Sequence, residues 1–498
     1  MRDGDVKKLL NIGVLLSAER DLDRLLERIL DCVMDLANCD AGTLYLLRDN
    51  ALYFRIMRNR TLRTYSGAGG VVPDLPPVPL TRESVCALSV LEDKTIRIAD
   101  VRSCREYDLT GPIRYDAMTG YTTVSMLVVP MRSREGETIG VLQLINAMDE
   151  AGKICAFEDD MTLVLESVAS QAAITLQNVR YIGEIKELFQ SLVRVLSSAV
   201  DERTPYNGSH TRHMAACGSR FIDYLNTIQS PPPFSPSHKD ELLMSVWFHD
   251  VGKLVTPLEV MNKMARLLPE QYAAFTHRME VIRLRSEIDC LCGLITPEEK
   301  EETVRRTREA AELVDAVNGA GFLRDETLDD VARLHQQSYT GPNGEVLPYL
   351  TEDEYAMLSI RKGTLSDAER EIMEEHVAVT DKLLSQIRFS AELSHVRQWA
   401  ASHHELLNGS GYPRHIQGDE IPCEVRIITI LDIFDALVAD DRPYKPGMPV
   451  ERALSILDTM ANKEGKLDPE LTRLFIESKC WESEAARGVR AEEKSAKT

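Results

Sequence analysis

The sequence lacks a long apolar run and an excess of positive charge. No stretch approaches the ~20 apolar residues that a helix needs to span a bilayer, so we predict no membrane segment. Lysine and arginine number 58 against 79 acidic residues, which gives a net charge of −21. Nucleic-acid binding of broad specificity depends on neutralising phosphates, so this balance argues against it and against binding to an anionic membrane surface. Binding of a small anionic ligand is compatible with this net charge if local cations or metal ions offset the negative field.

The sequence also lacks a usual zinc-binding cysteine pattern, an internal repeat and a low-complexity tract. Ten cysteines are scattered, and the one close pair, Cys290 and Cys292, does not have zinc-knuckle spacing. We see no signal peptide, and we therefore expect reduced thiols and a cytoplasmic location. The length predicts about two to four domains, and the charged end, residues 481–498, is expected to be disordered.

The first part of the chain has the pattern of an α+β domain. Residues Asp21–Leu36 have the apolar spacing of an amphipathic helix. Short strand-like runs follow at Ala41–Leu47, Leu52–Met57, Thr95–Ile98, Val124–Met131 and Thr138–Ile145. A helix, a series of strands and a closing helix predict an antiparallel sheet with flanking helices.

Three runs in this part carry a family resemblance. Thr119–Leu127, Pro130 and Gly140–Asn146 resemble a GAF domain, and we assign residues 21–178 to this sensor domain, after an N-terminal helical segment at 1–20. The GAF domains that bind cyclic nucleotides have an Asn-Lys … Phe … Asp-Glu signature.

That signature is broken here. Asn146 is followed by Ala147 rather than lysine, and Phe157 leads into Glu158–Asp160. A ligand-sensing role and a purely dimerising role both stay open.

A long helix is predicted to connect the two halves of the chain. The helical pattern runs from Asp159 to Val200 with little interruption. Apolar residues at spacings of three and four form a stripe of Ile182, Ile185, Phe189, Leu192, Leu196 and Ala199. This stripe is typical of a coiled-coil seam, and we predict a parallel dimer through residues 179–200 and the GAF domain. The alternative is a helix packed on its own domain.

Two adjacent histidines, His403 and His404, are the most informative pair in the second half. We predict that they end a helix from Leu393 to Glu405, before a loop that contains two glycines and a proline. Neighbouring helical side chains point about 100° apart, so this pair would serve two metal ions more readily than one. The alternative is a helix end with two hydrogen-bonded histidines.

Other metal-type residues occur in an ordered series. The histidines are His210, His213, His249, His376, His403 and His404. Asp250 follows His249 directly, and Asp432 lies inside the apolar run Ile427–Ala436. A carboxylate among apolar residues is costly unless it is paired or binds a metal. Imidazole with carboxylate suits iron, manganese, zinc or nickel.

These motifs together resemble the HD-GYP family of the HD metal-dependent phosphohydrolases. The matching runs, in the family's order, are Phe248–Lys253, the His376 helix, His403–Pro413 and Leu431–Lys445. The resemblance implies an all-α domain over residues 201–480. It also implies cyclic di-GMP as substrate, opened to pGpG; whether the product is pGpG or, after a second cleavage, GMP stays open.

The resemblance implies a ligand set and two divalent metal ions, iron or manganese. The implied ligands are His210, His249, Asp250, His376, His403, His404 and Asp432. Asp432 is a candidate ligand to both metals, and Asp435 a cap or a partner of a ligand. His213, one turn after His210, is assigned to the second shell or the surface. A third metal is not expected, because Tyr206 stands where members with a third metal have glutamate.

The resemblance also implies catalytic and substrate-binding residues. Asp250 and Lys253 are the catalytic candidates, and the metal ions would activate a water for attack on the phosphodiester. Substrate contacts are assigned to Lys253, Arg442, Gly411, Tyr412 and Pro413. For Lys253 the alternative is solvation of a helix end, and for Arg442 a surface turn. Leu407 and Asn408 replace a more usual Trp-Asp.

One departure from the family is a long segment before His376. We predict a helical insertion at about residues 258–350, which could cover the site, form a dimer or bind a partner. Three functions stay open: a GAF-regulated cyclic di-GMP phosphodiesterase, a non-catalytic scaffold that engages diguanylate cyclase domains, and a phosphodiesterase for another dinucleotide such as cyclic GMP-AMP.

Overall fold

The structure is a computed structural model. It describes residues 21–67, 75–203, 209–229, 233–341, 343–439 and 448–482. The chain forms two compact units, residues 1–190 and 191–498, and each is described by itself. The predictions for the segment 1–20, for Tyr206, for Arg442 and for residues 483–498 lie outside the described residues.

The first unit is an antiparallel sheet with helices on both faces. Its elements are α1 (Leu22–Leu36), β1 (Cys39–Arg48), β2 (Ala51–Asn59), β3 (Thr64–Ser66), β4 (Val78–Pro79), α2 (Val85–Leu91), β5 (Ile96–Ile98), α3 (Thr110–Thr119), β6 (Met126–Arg132), β7 (Thr138–Met148) and β8 (Ile154–Cys155). The main strand order is β3-β2-β1-β7-β6-β5. The predicted helix and five strands are confirmed. The remaining elements of this unit were not predicted. Each has at most ten residues, which is too few for a clear hydrophobic period.

Two hydrophobic cores lie on opposite faces of this sheet. Leu44 and Leu142 pack in the core that contains α1, whereas Tyr45 and Val141 pack in the core that contains α2. Successive strand residues point to opposite faces, so β1, buried on both, has consecutive apolar residues at Leu44–Leu47.

The long helix α4 (Asp159–Asp201) confirms the predicted connecting helix. Its first part contributes Leu165, Ala169 and Ala172 to the α1 core. Farther along, Ile182 and Ile185 are 68% and 67% exposed. The coiled-coil seam is therefore not covered within the described chain, and its pairing with a second copy stays a prediction. No helix among the described residues is both long and apolar enough to cross a membrane.

The second unit is mostly helical. Its helices are α5 (His210–Ile228), α6 (Pro236–Phe248), α7 (Leu258–Met261), α8 (Pro269–Leu291), α9 (Pro297–Asn318), α10 (Asp325–His335), α11 (Glu352–Leu358), α12 (Asp367–Leu384), α13 (Val396–Ala400), α14 (Cys423–Val438), α15 (Val450–Asn462) and α16 (Pro469–Ser478). Short 3₁₀ helices lie at Val251–Val255, Ala391–Leu393 and Gly418–Glu420. The second unit also contains one hairpin, β9 (Ser338–Thr340) with β10 (Val346–Pro348), which the all-α prediction did not include.

The helix predicted from Leu393 to Glu405 is wrong in extent. It is the short helix α13, which ends at Ala400, and residues 401–404 form turns. The two adjacent histidines therefore follow the helix rather than end it, and the 100° spacing of helical side chains does not apply to them.

The segment between α7 and α12 has a hydrophobic core of its own. That core includes Phe275, Val314, Val331 and Leu358, contributed by α8, α9, α10 and α11. At its base the fully buried Arg266 donates hydrogen bonds to the carbonyls of Ala320 (2.6 Å) and Ile360 (3.0 Å). The role of this segment stays a prediction.

Candidate metal centre

The turn after α6 brings the His-Asp pair against α12. A Cβ at Gly252 would lie 1.9 Å from the carbonyl oxygen of His376, so only glycine permits this backbone approach. The Thr380 hydroxyl donates to the carbonyl of His249 (3.1 Å) and accepts from the amide of Gly252 (3.0 Å). Sequence reasoning missed Thr380, because a threonine inside a helix has no local pattern that indicates such a bridge.

Three imidazoles are oriented by the main chain in the same way. The Nδ1–H groups of His249, His376 and His403 donate to the carbonyls three residues earlier, at 2.7, 2.5 and 2.7 Å. A carbonyl oxygen can only accept, so the lone pair of each neutral ring lies on Nε2. These Nε2 atoms are buried and have no hydrogen-bond partner among the described residues.

Asp250 lies between these imidazoles. Its Oδ1 is 3.5 Å from Nε2 of His376 and 3.8 Å from Nε2 of His403. Its Oδ2 is 3.3 Å from Nε2 of His249 and 3.9 Å from Nε2 of His210. One carboxylate therefore faces four histidines.

Asp432, on α14, lies between His210 and His404. Its Oδ1 is 3.3 Å from Nε2 of His210, and its Oδ2 is 3.6 Å from Nδ1 of His404. The ligand-type atoms form two groups with internal distances within 4.8 Å: His210, His249 and Asp250; and His376, His403 and His404. We expected His403 and His404 to face separate metals. Ligand-type atoms of both histidines lie in one of these groups, and the assignment of each histidine to a metal ion stays a prediction.

The buried setting gives these residues the protonation states that metal ligands need. Burial lowers the pKa of His376 and of His403, and it lowers the pKa of His404 to about 4. Burial alone would raise the pKa of Asp250, but its interactions with His249 and with the Lys253 ammonium hold it well below its usual range. The unpartnered Nε2 atoms of His376 and His403, on rings whose charged form burial disfavours, and the ionised carboxylate of Asp250 fit a divalent cation.

His210 is held differently from the other histidines. Its Nδ1–H donates to Oδ2 of Asp435 (2.7 Å), a carboxylate contact of the kind that orients metal-ligating histidines. Burial disfavours its charged form, but the hydrogen bonds to Asp432 and Asp435 outweigh burial and raise its pKa to about 10. The His213 side chain is 66% exposed, and its Nδ1 is 3.9 Å from Oδ1 of Asp435.

Lys253 lies inside the same cluster. Its Nζ is 2.5 Å from Oδ2 of Asp250. Burial alone would lower the pKa of Lys253, but the charges of Asp250 and Asp432 raise it. The ammonium group is therefore held at the centre, within reach of any anion that binds there. Contact with a substrate phosphate stays a prediction.

The loop after His404 is anchored by a buried glutamate. Glu405 is 2% exposed, and its two carboxylate oxygens accept from the amides of Arg414 (2.8 Å) and Ile416 (3.2 Å). A Cβ at Gly411 would lie 2.4 Å from the carbonyl oxygen of His404. The ring of Tyr412 is consequently held 4.7 Å from the ring of His404, between centroids.

Asn408, which departs from the family's usual residue, acts within this loop. Its Oδ1 accepts from the amide (3.0 Å) and the hydroxyl (2.7 Å) of Ser410, and its Nδ2 donates to the carbonyl of Glu464 (3.1 Å). The described contacts of Asn408 are thus structural.

The structure brings together all seven residues that were assigned as metal ligands, together with Lys253, Gly411 and Tyr412. Pro413 lies on the same loop and is exposed. Sequence reasoning also missed Thr429. From α14, its hydroxyl donates a hydrogen bond to the carbonyl of His403 (2.8 Å).

Comparisons with known proteins extend this description. The chain is 41% identical over 110 residues to 3'3'-cGAMP-specific phosphodiesterase 3 of Vibrio cholerae, which is 22% of this chain and 23% of that protein. It is 35% identical over 123 residues to a cyclic di-GMP phosphodiesterase of Thermotoga maritima, 24% of this chain and 31% of that protein. It is 30% identical over 217 residues to the cyclic di-GMP phosphodiesterase response regulator RpfG of Xanthomonas campestris, 41% of this chain and 55% of that protein.

The matched segments thus span about a quarter to about half of these relatives. Two family descriptions also match the chain: GAF domain at residues 19–177 and HD domain at residues 353–471. The second match includes His376, His403, His404 and Asp432 of the candidate metal centre. The chain therefore carries an N-terminal GAF domain and a C-terminal HD domain.

Proposed function

We propose that this chain is a metal-dependent phosphodiesterase that opens cyclic di-GMP to the linear dinucleotide pGpG, with GMP as the product if pGpG is cleaved in turn. The observation that carries the proposal is the convergence of three buried, unpartnered Nε2 atoms on one ionised carboxylate, Asp250. Unpaired polar atoms are costly to bury, and a bound cation would satisfy all of them.

Two divalent cations, iron or manganese, are assigned to this centre. His210, His249, His376, His403, His404, Asp250 and Asp432 would hold them. When bound, such ions supply an activated water and positive charge for the attacked phosphate. We propose no third ion.

The chain's own residues then position the substrate and its charge. The Lys253 ammonium, held by Asp250, offsets negative charge on the phosphate oxygens. Tyr412, whose ring lies beside that of His404, is assigned a substrate contact together with Gly411 and Pro413. Arg442, outside the described residues, is assigned a second phosphate contact. Water adds to phosphorus as the ribose oxygen leaves, and that oxygen takes up a proton.

A second candidate substrate is 3'3'-cGAMP. The observation that favours it is the name of two relatives, the phosphodiesterases 3 and 2 of Vibrio cholerae, which are 41% and 40% identical over their matched segments. A third reading is a non-catalytic receptor that engages diguanylate cyclase domains through the loop around Tyr412. This receptor function requires that the chain binds metal ions but hydrolyses no cyclic dinucleotide.

The test is a hydrolysis assay on anaerobically purified protein loaded with iron or manganese. Cyclic di-GMP and 3'3'-cGAMP are supplied separately at equal concentration, and linear dinucleotides and mononucleotides are separated by chromatography. His376→Ala should abolish turnover, whereas His277→Ala, at an exposed position on α8, should not. Faster cleavage of 3'3'-cGAMP would replace the proposed substrate. Two bound metals without hydrolysis of either compound would contradict the enzyme and favour the receptor.

We also propose that the GAF domain regulates this activity, as a homodimer through that domain and α4. Support comes from a cavity of about 560 Å³, a size that ligand pockets usually have. It lies between the sheet and α3, with Thr43, Gln143 and Tyr115 in its lining. Support for the dimer comes from the exposed seam of α4.

A cavity-filling variant tests the regulation. Cyclic AMP and cyclic GMP are the probes, and we expect one of them to change the hydrolysis rate of the wild-type chain at least twofold. Thr43→Phe should remove that response, because the ring fills the cavity, whereas Thr227→Phe, exposed on α5, should keep it. A wild-type rate that neither probe changes would contradict regulation by cyclic nucleotides.

A further inference from the structure

The C-terminal end of α4 is joined by hydrogen bonds to the segments that carry the metal centre. The buried Ser197 hydroxyl donates to the carbonyl of Trp247, two residues before His249. The buried Asp201 carboxylate accepts from both the amide (3.2 Å) and the hydroxyl (3.0 Å) of Thr211, the residue after His210. Two contacts from one helix end thus hold the chain beside two candidate ligands.

Arg203, just beyond α4, makes the third connection. Its guanidinium donates to the carbonyl of Lys253 and to the carbonyl of Thr256 (3.2 Å). Lys253 lies in the 3₁₀ turn that begins directly after Asp250, and Thr256 is the residue that caps the end of this turn. Because a planar guanidinium donates in fixed directions, this fork sets the position of the turn as well as its distance from α4.

Most of these hydrogen bonds are made to main-chain atoms, so they couple the position of α4 to the position of the turn. Hydrogen bonds from nitrogen to oxygen have lengths of about 2.7–3.2 Å, so a shift of α4 by about 1 Å would break them or move the turn with it. The Lys253 ammonium, on the same turn, is paired with Asp250, with 2.5 Å between Nζ and Oδ2. A displacement of that size at a reacting group can cost about 100-fold in rate.

We propose that Ser197, Asp201 and Arg203 are positioning residues through which the end of α4 sets the placement of the catalytic turn, with Arg203 acting on Lys253. The inference rests on the proposed phosphodiesterase function. It adds a physical route by which a movement of α4 changes turnover, because the same helix end that would move also holds the turn. None of the three side chains needs to touch the substrate or a metal ion.

A double-mutant cycle between Arg203 and Lys253 tests the proposal. Arg203→Ala in the full-length, metal-loaded chain is expected to lower kcat/KM by roughly 10- to 100-fold, the range for residues that support a metal site, with metal content unchanged. In a Lys253→Ala background the same change should cost less than about twofold, because the group on which Arg203 acts is gone. Arg203→Lys, which can still donate to one carbonyl, should recover part of the loss.

Arg194→Ala is the matched control, since Arg194 is exposed on α4 and its one described side-chain hydrogen bond is to Ser191. An equal fold loss from Arg203→Ala in both backgrounds would overturn the proposal, because Arg203 would then act independently of Lys253.

Hydrogen–deuterium exchange separates this inference from the proposed activity. Amides of residues 249–256 should exchange at least tenfold faster in Arg203→Ala than in the wild type or in Arg194→Ala. The measurement needs no turnover, so it reads the contact even if neither cyclic dinucleotide is hydrolysed. Unchanged exchange in this segment would overturn the positioning role, whatever the outcome of the hydrolysis assay.

Discussion

Asp250→Asn is expected to lower hydrolysis by more than about 100-fold and to reduce the metal content. Replacing residues that only support metal ligands costs roughly 10- to 100-fold, and Asp250 lies directly against both groups of ligand-type atoms. The amide keeps the shape of the side chain but removes the negative charge that His249, His376 and Lys253 surround. An amide nitrogen would also face some of the Nε2 atoms in place of an oxygen lone pair.

The matched control is Asp381→Asn, on α12. Asp381 is paired with Arg397 at the surface, with hydrogen bonds of 2.7 and 2.8 Å, and both side chains are nearly half exposed. Exposed ion pairs contribute about 0–1 kcal/mol, so this variant should keep its metal and its rate. Metal content by plasma mass spectrometry and initial rates are measured on both variants. An Asp250→Asn protein with unchanged metal content and less than a tenfold loss of rate would contradict the shared-carboxylate centre.

Glu405→Ala is expected to destabilise the second unit by about 3 kcal/mol, because a hydrogen bond to a charged group contributes roughly 1.5–3 kcal/mol. The substitution leaves the amides of Arg414 and Ile416 without their acceptor in a partly buried loop. It should also lower turnover, since the loop that places Tyr412 beside His404 loses its anchor. Glu420→Ala, at an exposed position after the same loop, should change neither quantity.

Tryptophan fluorescence makes this measurement specific to the second unit. The chain's three tryptophans, Trp247, Trp399 and Trp481, all lie in residues 191–498. Urea unfolding followed at tryptophan emission therefore reports that unit without a signal from the GAF domain. Equal midpoints for Glu405→Ala, Glu420→Ala and the wild type would show that Glu405 does not anchor the loop.

The local elements of this protein could be predicted because their signals lie within a few residues. The start of α12 is an example: Ser366 and Glu369 form the expected capping box, with hydrogen bonds of 3.3 and 2.8 Å between side chain and amide. The span of α4 and the main strands could be predicted for the same reason, because their apolar residues repeat at short intervals along the chain. The histidine and aspartate set was implied by the resemblance to the HD-GYP family, which rests on several motifs in the family's order.

The arrangement of that set was decided by tertiary packing. The Gly252–Thr380 hydrogen bond joins residues 128 positions apart, and no local pattern relates them. The approach of that turn to α12 puts Asp250 among four histidines, a central position that spacing along the chain did not indicate. Because α13 ends at Ala400, His403 and His404 lie in the turns that follow it.

The sequence by itself therefore determined the two domain types, the connecting helix and the residues able to bind metal. Only the tertiary structure decided which atoms face one another, that Glu405 anchors the loop, and that the end of α4 contacts the catalytic turn. The physical reason is that capping, periodicity and residue chemistry act over a few residues. Hydrogen bonds and close backbone contacts between distant segments depend on how the helices pack.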